Sequence, residues 1–199
     1  QLEALRDLAA RTWRFFEVYV PMSGSGLPPD NVQLDPPVGV ARRTSPTNIG
    51  LYLLSCLAAK ELQLIGGDEM EARMAQTVKT VESMDKWRGQ LYNWYDLDSL
   101  RPLPPRYVST VDGGNLAACM MLCASAVGGE LAARMDALAR AMDFSSLYDE
   151  AGKLFYIGVD IEHDKVSDAR YDLLASEARI LSFIAIALKQ APVEHWFRL

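Results

Sequence analysis

Glu177 is a carboxylate set among apolar residues, with Leu173, Leu174, Ala175 and Ser176 before it and Ile180 and Leu181 after it. Such surroundings predict desolvation. Desolvation raises a carboxyl pKa and keeps the acid protonated near neutral pH, as protonation of a glycosidic oxygen requires. The competing reading is an ion pair with Arg179 or Arg170, although a separation of two residues puts Arg179 on a different helical face. Glycosidic chemistry also needs a second carboxylate, as nucleophile or as base for a water. Asp112, Asp96 and Asp172 are the candidates. Asp112 lies between Tyr107-Val108-Ser109-Thr110 and Gly113-Gly114-Asn115, where glycines let backbone approach a ligand closely. An N-cap role explains Asp112 equally well. Sugars stack on aromatic rings while amides and carboxylates bond their hydroxyls, and Asn93, Trp94, Tyr95, Asp96 and Tyr107 supply both within one loop. His195, Trp196 and Phe197 either extend that surface or dock another segment.

Other chemistries find little support. The sequence has no GxxxxGK[ST], no GxGxxG after a strand, no HExxH and no GxSxG. Two histidines are too few for most metal sites, so neither a metal nor a cofactor is expected. Cys56, Cys119 and Cys123 fall among apolar residues, and their odd number gives no disulfide framework, which suits buried thiols in a reducing compartment. A net charge of -6 and a pI near 5.0, with no basic stripe, argue against nucleic acid. The longest nearly apolar run, Ile180 to Leu188, falls far short of the roughly 20 residues that cross a bilayer, so no membrane span is expected in this segment.

Six helical stretches of two alternating kinds would position these residues. Leu2 to Tyr19, Asp68 to Trp87 and Glu130 to Met142 are amphipathic and read as outer helices. Pro46 to Leu64, Gly113 to Val127 and Tyr171 to Lys189 are apolar nearly all round and read as inner helices. Long connections precede every inner helix, whereas Ile65-Gly66-Gly67 and Gly128-Gly129 are short links to outer helices. If successive helices are antiparallel, the long loops share one end of the assembly, where function usually sits. Ser45 with Pro46 behind it, Asp112, and Asp168 or Asp172 are the cap candidates for the three inner helices. Capping leaves Thr47, Asn48, Asn115, Ser176 and Glu177 unexplained on apolar helices, and a shared pocket at the inner-helix amino termini would account for them together. Leu147 to Ile157 reads as a small β-hairpin in the third loop. The fold class is all-α: three helical hairpins, half of an (α/α)6 toroid, in one domain over residues 1–199. The chain begins at Gln1 within a helical pattern, which predicts a segment of a longer protein with the rest of the domain beyond residue 199.

Five ordered motifs resemble the glucoamylase-like region of cyclic β-1,2-glucan synthases: LPPDN at 27–31, RTSPTNIGL at 43–51, LYNWYD at 91–96, LPPRYVSTVD at 103–112 and YDLLASEAR at 171–179. The resemblance runs almost end to end. It implies an α/α-toroid that closes linear β-1,2-glucan into a ring by transglycosylation, with Glu177 in the acid's place. By the same likeness, Asn93, Trp94, Tyr95, Asp96 and Asp112 match pocket motifs. Arg43, Tyr107, Asn115 and Asp172 complete the candidate substrate-binding set. Gly113 departs from the pattern, standing where a Ser is expected. The implied partners are β-1,2-glucan or another oligosaccharide, and either the remaining half of the toroid or another copy of the chain. The implied setting is the cytoplasmic side of a bacterial inner membrane, within a larger membrane protein.

Overall fold

The computed structural model describes residues 2–199, and its elements follow the predicted alternation. The outer helices are α1 (Leu2–Met22), α3 (Gly67–Ser83) and α5 (Gly129–Arg140); the inner helices are α2 (Pro46–Glu61), α4 (Thr110–Val127) and α6 (Arg179–Ala187). A short α7 (Glu194–Arg198), not anticipated from periodicity, follows. α4 is central, packed on α2, α5 and α6, while α1 and α3 lie against α2 and α3 also meets α5. The core between the layers includes Ile49, Leu53, Met74, Leu116, Met120, Met135, Phe144, Phe155 and Leu181. By length and composition α4 alone, among the described residues, is apolar enough to cross a bilayer, a run the sequence reading passed over. Its apolarity is explained by its place between three other helices.

Side-chain caps account for the starts of α2 and α4. Ser45 is the N-cap of α2, its hydroxyl accepting from the Asn48 N–H at 3.2 Å, with Pro46 behind it. Ser109, not Asp112, caps α4, accepting from the Asp112 N–H at 3.4 Å. Asp112 is therefore already inside the helix, and its carboxylate is free of the capping role. Glycines at the crossings bring the inner helices close. A Cβ on Gly50 would meet the Leu116 Cα at 3.1 Å, and one on Gly114 would meet the Leu181 Cβ at 2.5 Å. Gly113 and Gly114 thus serve packing within the fold and not approach of a ligand: a Cβ on Gly113 would lie 2.6 Å from the buried Gln90 Oε1.

The third inner helix is shorter than predicted. Residues 171–173 are irregular and 174–178 form turns, and neither Asp168 nor Asp172 caps α6, whose N-cap Ala178 makes no side-chain cap bond. The reason is tertiary. Backbone pairing of Ile157 with Ala169 and of Tyr171 with Phe155 holds this stretch against the third loop and overrides the helix preference of its leucines and alanines.

The long loops share one end and pair with one another. The first carries β1 (Val32–Gln33), β2 (Gly39–Val40) and β3 (Arg43–Thr44), and the second carries β4 (Lys86–Trp87), β5 (Gln90–Leu91), β6 (Tyr95–Asp96) and β7 (Tyr107–Ser109). The third carries β8 (Tyr148–Asp149), β9 (Leu154–Phe155), β10 (Gly158–Asp160) and β11 (Lys165–Val166). β8 and β9 are the predicted hairpin. Antiparallel pairing of β3 with β6 joins the first loop to the second, and pairing of β7 with β10 joins the second to the third.

Candidate functional site

Asp112, in the first turn of α4, is the centre of a polar cluster at the amino ends of the inner helices. Thr47, in the first turn of α2, donates its hydroxyl to Asp112 Oδ1 at 2.6 Å and accepts from Asn115 Nδ2 at 3.1 Å. Asn93, in the amide orientation that satisfies both neighbours, donates to Asp112 Oδ2 at 3.3 Å and accepts from Trp94 Nε1 at 3.1 Å. Both carboxylate oxygens are therefore oriented by side chains of other elements. The indole of Trp94 lies under the Arg43 guanidinium, whose Cζ is 4.1 Å from the ring centroid. Arg43 is in turn paired with Asp30, with Nη2 to Oδ2 at 3.0 Å. Arg43, Asn93, Trp94, Asp112 and Asn115 are thus brought together.

Tyr171 feels the charge of both Asp112 and Glu177. Burial pushes the Tyr171 phenol up from its ordinary value, and the negative charges of Glu177 and Asp112 and the nearby Tyr107 push it further. Tyr107, on β7, lies against Gly158, and burial followed by the charge of Asp160 raises its phenol too. Glu177 itself is exposed, in the turn before α6, and makes no ion pair among the described residues. The apolar enclosure expected around it is absent, because Leu173, Leu174 and Ile180 are themselves 60%, 37% and 49% exposed.

The other candidates stand differently. Tyr95 is fully buried, its hydroxyl donating to the Asp85 carbonyl at 2.6 Å and accepting from the Tyr92 N–H at 2.8 Å, so it is a core residue of the second loop. Asp96 uses Oδ1 to accept from the Ser99 N–H at 2.7 Å and the Ser99 hydroxyl at 2.8 Å, and these bonds, chiefly, hold its carboxyl below the ordinary value. It organises a turn. Asp172 is exposed. His195 is fully buried, between the Lys153 carbonyl at 2.9 Å and the Ser182 hydroxyl at 2.8 Å, and edge-on to Tyr148 and Phe155. Its neighbour Phe197 is 82% exposed and lines an apolar groove of about 350 Å³ with Phe183, Ile186 and Val193. That groove, and one of about 320 Å³ lined by Leu5, Leu8, Trp13, Phe16 and Leu62, share no residue with the polar cluster.

Sequence reasoning omitted Asp30 and Tyr171 from the site and noted Thr47 only as an unexplained polar residue on an apolar helix. No group of three or more His, Cys, Asp or Glu side chains is disposed to hold a metal among the described residues. Cys56, Cys119 and Cys123 are all buried, and burial pushes the thiols of Cys56 and Cys123 up to about 12.

Residues 7–115 match a family model described as a protein of unknown function, DUF3131. The chain belongs to that family. It is 48% identical over 124 residues to the cyclic β-(1,2)-glucan synthase NdvB of Rhizobium meliloti, a match spanning 62% of this chain and 4% of that protein. Among solved structures it is similar to a β-1,2-glucanase from Parabacteroides distasonis, with a TM-score of 0.82, 16% identity, and 99% of this chain and 29% of that one covered. It is also similar to the endo-β-1,2-glucanase from Chitinophaga pinensis in complex with sophorotriose and glucose, with a TM-score of 0.75 and 18% identity over 96% of this chain and 48% of that one. At these identities the structures establish the fold, half or less of an α/α-toroid chain, and the similarity to glucan synthase is the one carried by sequence.

Proposed function

We propose that this chain is a carbohydrate-active, glycoside-hydrolase-like domain whose loop end takes β-1,2-glucan. The observation that carries the reading is the Asp112 cluster. A carboxylate oriented by Thr47 and Asn93 stands beside an indole whose edge is held by Asn93, which is a polar group next to a stacking face, as sugar recognition requires. The 48% identity to a cyclic glucan synthase and the sophorotriose complex of one structural relative favour a β-1,2 linkage over other glucans.

In this reading Glu177 gives a proton to the glycosidic oxygen, and Asp112 serves the other side of the bond as base for a water or as nucleophile. Cyclisation by transglycosylation is the activity the resemblance suggests, with a sugar hydroxyl taking the place of water. The domain extends past the chain's 199 residues in this proposal, and the rest of the toroid or another copy covers Leu5, Leu8, Phe183 and Phe197. A second reading, glucan binding without turnover in this form of the chain, is favoured by the exposure of Glu177. Calorimetric titration with sophorotriose and with a β-1,4-linked glucotriose tests the shared part of both readings. Heat with the β-1,2 sugar alone, lost in Trp94→Ala, is expected; equal heats, or none, would reject them.

A further inference from the structure

The motif at 27–31 has no part in the chemistry proposed above, yet its aspartate is tied into the site. We propose that Asp30 is a positioning residue that, through Arg43, holds Trp94 as a platform open to a sugar ring on one face only. The inference rests on the glucan reading. The Asp30 side chain is 18% exposed. Its Oδ2 accepts from Arg43 Nε at 3.2 Å and Nη2 at 3.0 Å, and from Asn31 Nδ2 at 3.0 Å. Its Oδ1 accepts from Asn48 Nδ2 at 3.2 Å, which fixes the carboxylate to the first turn of α2. The Asp30 N–H donates to the Arg43 carbonyl at 2.7 Å, so backbone and side chain join the same two residues.

The consequence falls on the indole. Arg43 is 46% exposed, and a long, half-exposed side chain keeps one position only where its charge is held, here by Asp30 Oδ2, which accepts from both Nε and Nη2. Held there, the guanidinium covers one face of Trp94, and Asn93 holds the ring's N–H. A glucosyl ring that stacks on Trp94 must then use the opposite face, which fixes the side from which the glucan meets the cluster at Asp112. Asp30 touches neither sugar nor reacting atoms in this scheme; it acts through Arg43.

The test follows the Trp94 indole N–H resonance, assigned by its loss in Trp94→Phe, together with calorimetric affinity for sophorotriose. Asp30→Asn is expected to move that resonance, leave those of Trp13, Trp87 and Trp196 in place, and weaken sophorotriose about tenfold. In an Arg43→Ala background the same substitution is expected to cost no further affinity. Asn48→Ala, which removes the other anchor of the carboxylate, is expected to move the resonance in the same direction and by less, and it serves if Asp30→Asn does not fold. An unmoved Trp94 resonance, or losses that add in the double variant, would overturn the role of Asp30. Absence of sophorotriose binding to the unaltered chain would overturn the glucan reading and the platform with it, whereas binding with an unmoved resonance would overturn Asp30 alone.

Discussion

Asp112 and Glu177 both lie within electrostatic reach of the Tyr171 phenol, yet they are held in opposite ways. Asp112 has each oxygen bonded to a side chain from another element, in the region where the first and second loops pair through β3 and β6. Glu177 stands in an exposed turn flanked by exposed leucines. In the proposed reading, the binding side of the site is therefore built before any sugar arrives. The side that would carry the acid is not, and its apolar neighbours are surfaces without a partner among the described residues. Preorganised groups lose least on binding, so recognition is expected to survive in conditions where turnover does not.

Substitutions probe the difference between the two carboxylates. The largest effect is expected at Gly114, where an added Cβ meets the backbone and side chain of Leu181 at 2.7 and 2.5 Å, with little room to give. Gly114→Ala is predicted to cost about 3 kcal/mol in chemical denaturation, because it pries α6 from α4. Thr47→Val comes next. It leaves Asp112 Oδ1 without its donor and Asn115 Nδ2 without its acceptor, and a loss of about 2 kcal/mol is expected; a neutral result would mean the cluster is not the rigid half.

His195 offers a check by pH. Burial, opposed by its bond to the Lys153 carbonyl, lowers its pKa from the ordinary 6.5, so the fold favours the neutral ring. That contribution is complete above pH 6.5 and decays as pH falls from there through the lower folded value. The unfolding midpoint of the unaltered chain should drop across that window, and His195→Phe should flatten the slope. The smallest effect belongs to the open half: Leu173→Ser is expected to change stability by no more than about 0.5 kcal/mol. A large loss there would mean that the turn is packed after all.

How much of this could be read in advance depends on the range of the forces involved. The alternation of amphipathic and apolar helices, the long loops before each inner helix and the Ser45 cap all follow from residues near in sequence, and all are present. Asp112 was ambiguous because a carboxylate at the start of a helix suits a cap, and only the position of Ser109 three residues earlier assigns that task elsewhere. Residues 171–178 misled because leucine, alanine and glutamate favour helix, while the pairing of Tyr171 with Phe155 is non-local. Tyr95 had the composition of a sugar-binding loop, but its hydroxyl is consumed by Asp85 and Tyr92 within the core. Asp30 carried no periodic or capping signal at all; its partners come from β3 and α2.

The most direct test of the account is turnover of linear β-1,2-glucan by the protein that carries this chain, with Glu177→Gln and Asp112→Asn measured separately beside sophorotriose affinity. Each substitution is expected to lower turnover by about 10² to 10⁴, and Glu177→Gln to leave affinity near its original value. Unchanged turnover in Glu177→Gln would contradict the account.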